Sequence, residues 1–152
     1  MERVDYQELT YDSPRNDGVL YYRGAPFTGV ARLEDPGNCV FQETEFRGGV
    51  EWGLQREWHP TGQLKGETQL VRGVRHGPRR AWGEDGRLLI DEVWEWGVCV
   101  TRRRWDVAGE EVESFVLQPG DPAYAKLPIL RRIAEQLDRE DPPGAWEARA
   151  EE

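Results

Sequence analysis

The 152-residue chain carries only two cysteines and two histidines, and each scarcity excludes a chemistry. Cys39 and Cys99 have no Cys-x-x-Cys spacing, and His59 and His76 stand near turns away from both. A tetrahedral zinc site draws on about four closely spaced Cys or His ligands, so no metal is expected. Ser13 and Ser114 lie outside any Gly-x-Ser-x-Gly elbow, which removes the usual serine nucleophile. Neither a dinucleotide-binding glycine motif nor a P-loop is present, so no cofactor is expected. No stretch approaches 18 apolar residues, too little for a membrane-spanning helix. Met1-Glu-Arg-Val-Asp-Tyr6 has no apolar run, so no ordinary signal peptide is expected and the expected compartment is the cytoplasm.

A basic field is missing too. Net charge is −9, against direct nucleic-acid binding, which relies on neutralising phosphates. The acidity suits a basic protein partner through electrostatic steering, or serves solubility alone. Arg102-Arg103-Arg104 is the one dense basic run, and three charges are few for membrane attachment. The acidic pairs Glu84-Asp85 and Glu110-Glu111 flank turn glycines and read as solvated loop tips rather than a glycosidase pair.

What is abundant is glycine and tryptophan, 17 and seven residues, and both recur at one spacing. Phe46-Arg-Gly-Gly-Val-Glu-Trp-Gly53 aligns without a gap on Leu70-Val-Arg-Gly-Val-Arg-His-Gly77. Gly49, Gly73 and Gly97 are 24 apart, as are Trp58 and Trp82. A fixed period of this size marks a repeat architecture. The fourth unit is degenerate: Thr101 stands where the second glycine belongs, and one residue is lost before Trp105. Within a unit the pattern alternates, with Leu54, Arg56 and Trp58 on one side of a strand and Gln55 and Glu57 on the other, the signature of β-structure. Each unit reads as a β-hairpin closed by a glycine turn and stabilised by its neighbours.

Residues 1–20 are expected to cap the sheet with strands at Val4–Leu9 and Val19–Tyr22 around a turn-rich loop, residues 21–117 to hold about four hairpins, the first beginning at Tyr21, and 118–140 to form a capping helix. Leu127, Leu130, Ile133, Ala134 and Leu137 recur at helical spacing, with Pro128 expected in the first turn and Asp121 placed as a cap. The tail 141–152 is expected to be flexible, with Trp146 available to dock.

Arg56, Arg80 and Arg103 each precede Trp58, Trp82 and Trp105 by two residues, so each Arg shares a strand face with its Trp, and stacked units would set successive pairs about 10 Å apart. Trp and Arg dominate interface hot spots and pair through cation–π contacts. The six residues are therefore candidates for a partner-binding stripe. Alternatively the tryptophans form the core of the sheet, and the arginine stems lie over it.

The Phe-x-x-Gly-x-x-x-Gly pattern, followed by an aromatic, Gly-x-Leu and an acidic strand, resembles the bacterial variant of the MORN repeat. Tyr21-Tyr-Arg-Gly-Ala-Pro-Phe-Thr-Gly29 is similar to the Pro-Phe-Thr-Gly entry of YwqK-type antitoxins. The resemblance spans about residues 19–113 and implies an all-β solenoid of stacked antiparallel hairpins. It also implies a non-enzymatic protein-binding module, an antitoxin or immunity protein that covers a cognate bacterial toxin, in some cases a basic nuclease. A MORN-type scaffold or membrane-associated adaptor is the alternative it carries.

Overall fold

The computed structural model describes residues 1–11, 18–37 and 39–144. Most of the turn-rich loop (residues 12–17) and Trp146 lie outside them. The chain divides into two compact units, Met1–Val116 and Leu117–Glu152.

The first unit is β-structure. Its strands are β1 (Arg3–Asp5), β2 (Tyr21–Tyr22), β3 (Ala25–Pro26), β4 (Gly29–Glu34), β5 (Val40–Arg47), β6 (Val50–Trp58), β7 (Leu64–Val71), β8 (Val74–Trp82), β9 (Leu88–Glu95), β10 (Val98–Trp105) and β11 (Glu111–Val116). Nine of them form one sheet in the order β1-β4-β5-β6-β7-β8-β9-β10-β11, antiparallel except for the parallel pair β1–β4. Four hairpins thus follow one another in chain order, as the repeat predicts.

Two turn types alternate. β5–β6, β7–β8 and β9–β10 are joined by Gly48-Gly49, Arg72-Gly73 and Trp96-Gly97, every one of these residues at positive φ. That is the primed turn whose twist matches a two-residue hairpin, and it explains the 24-residue glycine spacing. Each turn is also tied to the preceding unit: the amides of Gly49, Gly73 and Gly97 donate to the carbonyls of Phe27, Glu51 and Arg75 at 2.7, 2.9 and 2.8 Å. At the other end of the sheet, longer turns are closed by His59 N–H to Gln63 O, Gly83 N–H to Arg87 O and Asp106 N–H to Glu110 O.

The second glycine of each unit has a different duty. At Gly53 (φ 118°) and Gly77 (φ 114°) the strand bulges outward against Glu45 and Gln69. In the fourth unit the bulge is shorter, pairing Cys99 with Trp94 and Thr101 with Val93. The residue lost before Trp105 was lost from this bulge, and Thr101 is not at positive φ.

The N-terminal segment departs from expectation. The strand expected over Val4–Leu9 is β1 followed by a 3₁₀ turn at Tyr6–Glu8, because the Asp5 carboxylate accepts from Gln7 N–H and turns the chain. β1 does start the sheet, but in parallel with β4. The first repeat, entered at Tyr21, forms its sheet hairpin further on, as β4–β5. β2 and β3 pair with each other outside the large sheet, and Tyr21 also bridges Thr10. What they contribute is packing: Val4, Leu20, Phe27, Ala31 and Phe46 form a buried cluster bordered by Tyr6, Leu9 and Tyr22, with the Phe27 and Phe46 rings 5.9 Å apart.

In the second unit α1 (Leu127–Glu140) has Pro128 in its first turn. Asp121 does not cap it. Its carboxylate accepts instead from Gln118 N–H at 2.7 Å, closing the preceding turn, while Lys126 stands at the helix N-cap without a side-chain bond.

Candidate functional site

Strand alternation sends the six stripe residues to one face of the sheet, and the register decides what stands between them. Arg56 is opposite Glu43 on one side and Glu67 on the other; Arg80 lies between Glu67 and Asp91; Arg103 neighbours Asp91. With Arg32 opposite Glu43, the row reads Arg32, Glu43, Arg56, Glu67, Arg80, Asp91, Arg103 across β4 to β10. Neighbours in such a row are about 5 Å apart. Arg32–Glu43 and Arg56–Glu67 close at 2.9 Å, Arg80–Asp91 at 3.4 Å and Arg103–Glu111 at 2.7 Å. The acidic members Glu43, Glu67 and Asp91 are themselves 24 apart, a signal in the sequence that completes the stripe.

The guanidinium groups remain accessible: the side chains of Arg56, Arg80 and Arg103 are 43%, 55% and 55% exposed. Trp58, Trp82 and Trp105 are half-buried beside them. They are not the hydrophobic core, which the Phe27–Phe46 cluster supplies toward the N-terminal end of the sheet. Arg103 lies over the Trp105 ring at 4.9 Å. Arg56 and Arg80 are held by their carboxylates instead.

The run Arg102-Arg103-Arg104 is not a single patch. Alternation turns Arg103 to the stripe and its two neighbours to the opposite face. There Arg102 meets Glu92 at 2.8 Å, and Arg104 reaches Glu113 at 3.4 Å. Glu92 is the centre of that face. It is 1% exposed and also accepts from Arg79 at 3.0 Å and from Trp94 Nε1 at 2.8 Å. Burial alone would raise its carboxyl, but the bonds from Trp94, Arg79 and Arg102 outweigh it and hold the group below the usual range. Sequence reasoning missed Glu92, because an acid within an apolar strand reveals no partner until strand order is known.

Both histidines serve the stacking of turns. His59 Nε2 donates to the Trp82 carbonyl at 2.9 Å. His76 stacks on Trp96 with ring centroids 3.9 Å apart, and its Nδ1 accepts the Trp96 amide. The same slot one unit earlier holds Arg72 over Trp52 at 4.7 Å. Cys39 is exposed; burial pushes the half-buried Cys99 thiol up. Among the described residues no group of three or more His, Cys, Asp or Glu could hold a metal ion. No described helix is long and apolar enough to cross a membrane.

The hollows among the described residues of the first unit include these two. One, about 260 Å³, is bordered by Tyr6, Tyr11 and Glu51; burial and the neighbouring Tyr11 raise the Tyr6 phenol to about 12, and burial raises Glu51. The other, about 240 Å³, is a groove on the Glu92 face over Gly66 and Ala81, with Glu57, Arg75, Arg79 and Ile90 around it.

No family model matches the chain, and no curated protein matches it. Among solved structures, the chain is similar at 10% identity and a TM-score of 0.38 to a mutant of S. aureus TarM, crystallised with fondaparinux, alpha-GlcNAc-glycerol and UDP. The match covers 72% of this chain and 19% of that one, so the chain spans about a fifth of that protein's length.

Proposed function

We propose that the chain is a MORN-type repeat solenoid that works by binding another protein rather than by catalysis, as the antitoxin or immunity partner of a bacterial toxin in the cytoplasm. One observation carries the reading: three Arg–Trp steps recur on one face, each Arg fixed by a cross-strand carboxylate and still about half exposed. Guanidinium groups already held in place lose little rotamer freedom on docking, which lowers the cost of association. The tryptophans beside them supply broad, rigid contact area. The stripe is close to charge-balanced within itself, so the net charge of −9 works at long range, steering a basic toxin such as a nuclease toward a surface that then covers it.

The test has two steps. The protein is used to capture partners from lysate of its native host, and the captured protein is then titrated against wild type and Arg80→Gln/Arg103→Gln. Glutamine is preferred to glutamate, because a reversed charge would face Glu67 and Asp91 across the strands and unsettle the sheet. Affinity is expected to fall at least tenfold, with the thermal midpoint nearly unchanged, and co-expression of wild type but not the variant is expected to rescue growth from the toxin. Unaltered affinity would remove the stripe from the interface. A captured protein that harms no cell would end the antitoxin reading.

A further inference from the structure

Comparing the hairpins position by position isolates the groove as a built feature. The last paired residues before each long turn's bulge are Leu33/Gln42, Glu57/Gly66, Ala81/Ile90 and Arg104/Glu113. Every hairpin places two substantial side chains there, except where the second and third adjoin. At that junction Gly66 pairs directly with Ala81, so two adjacent strands present almost no side chain.

Nothing in the backbone demands glycine at 66. It is absent from the positive-φ residues, and an added Cβ would meet only the Arg80 carbonyl, at an ordinary 3.7 Å. A glycine inside a strand weakens it and often marks close approach by something else. The gap is the floor of the 240 Å³ groove.

The groove has polarity along its length. Arg75 and Arg79 stand at one end. Arg79 spends one nitrogen on Glu92, whereas exposed Arg75 rests only on the Trp94 ring, 4.9 Å away; among the described residues no carboxylate pairs with it. Ala81 and Ile90 give an apolar middle, and Glu57 and Lys65 border the other end. Pockets that enclose a whole small ligand run to about 300–1,000 Å³. This one is sized for one or two side chains of a larger partner.

We infer that the groove is an anchor pocket for an extended segment of the protein partner, taking an acidic side chain against Arg75 and Arg79 and an adjacent apolar side chain on the Gly66–Ala81–Ile90 floor. This rests on the protein-binding reading but not on the Arg–Trp stripe, whose side chains alternate to the other face; Arg80 of the stripe is part of the groove's lining, its carbonyl lying beside Gly66. A partner that is basic overall would then carry one acidic–apolar step, and that step would set its register.

The test uses capped tripeptides and the amide NMR spectrum of the whole chain. N-acetyl-Leu-Asp-Leu-amide is expected to bind at about millimolar affinity and to shift the Gly66, Arg79 and Ala81 amides saturably. Its Asn counterpart is expected to bind about tenfold more weakly, the share of one charge-assisted bond. Gly66→Leu fills the floor and should abolish the shifts while leaving remote resonances in place. Arg75→Gln should weaken binding about tenfold without touching the floor, and it serves alone if Gly66→Leu does not fold. Absence of saturable shifts, or equal shifts from the Asp and Asn peptides, overturns the proposal. Equal binding by N-acetyl-leucine alone would assign the groove to small carboxylic acids and overturn the polypeptide occupant. A silent groove in a protein that still captures a toxin sinks this inference only; a responsive groove in a protein that captures none sinks the toxin reading instead.

Discussion

Glu92 is a carboxylate the sheet cannot lose cheaply. It is 1% exposed and is held by Arg79, Arg102 and Trp94, and neutralising it leaves two guanidinium groups without their shared counter-charge. Breaking a buried pair by removing one partner costs about 3–5 kcal/mol, and Glu92→Gln is expected near the lower end because the amide can still accept from Trp94. Chemical denaturation checks the magnitude. Its pH dependence follows from the sign of the shift: a carboxyl depressed in the folded state stabilises above its unfolded value of about 4.3, and that stabilisation is lost as pH falls through the folded value. The gap between wild type and Glu92→Gln should therefore be full at neutral pH and close in acid. A gap that persists undiminished in acid would mean that Glu92 acts by packing alone. The exposed ladder pairs are a different matter. Arg56–Glu67, Arg80–Asp91 and Arg103–Glu111 have side chains 34–55% exposed, and each is worth about 0.2–1 kcal/mol; they orient the stripe more than they stabilise it.

At the scale of the element, the hairpin depends on glycine for two distinct reasons, and only one of them survives in every unit. The primed turn needs positive φ at Gly49, Gly73 and Gly97, and all three remain. The bulge glycine is kept at Gly53 and Gly77 but replaced at Thr101, where the bulge is shorter. Gly53→Ala is expected to cost at least about 1–3 kcal/mol, because φ of 118° is barred to alanine and its Cβ would run into the Glu45 side chain that accepts the Leu54 amide. Thr101→Ala, at the matching position, should cost about 1 kcal/mol or less. Equal losses from the two in thermal melts would contradict the separate origin of the bulges. Asp121 teaches the converse about helices: its spacing fits a cap, yet it closes the turn at Gln118, since a turn already offers a nearer amide.

Across the whole molecule, the sheet of the first unit is built by adding hairpins to neighbours, so its length is adjustable in steps of one period. Deleting residues 50–73, all of β6 and β7, joins the Gly48-Gly49 turn to Val74 and keeps both the alternation and the charge order, Glu43 now facing Arg80. That variant is expected to unfold cooperatively at a lower midpoint. Deleting 51–73 instead is one residue out of step, and a one-residue slip sends each side chain to the wrong face; it should not yield a cooperative melt. Equal behaviour of the two deletions in circular dichroism would refute period-by-period assembly.

The sequence alone determined the period, the hairpins, the glycine turns and the shared face of Arg56 with Trp58, Arg80 with Trp82 and Arg103 with Trp105. These depend on positive φ and on two-residue alternation, which are properties of the local chain. Only the tertiary structure decided that Glu43, Glu67 and Asp91 stand between the arginines, that β1 joins in parallel, and that Arg102 and Arg104 part from Arg103 to reach Glu92 and Glu113. It also decided that the core gathers at Phe27 and Phe46 rather than along the tryptophans, and that Gly66 meets Ala81 over an open groove. Each of these depends on which strand lies beside which and in what register. Alternation within one strand tells which side chains travel together, and only the neighbouring strand decides what they meet.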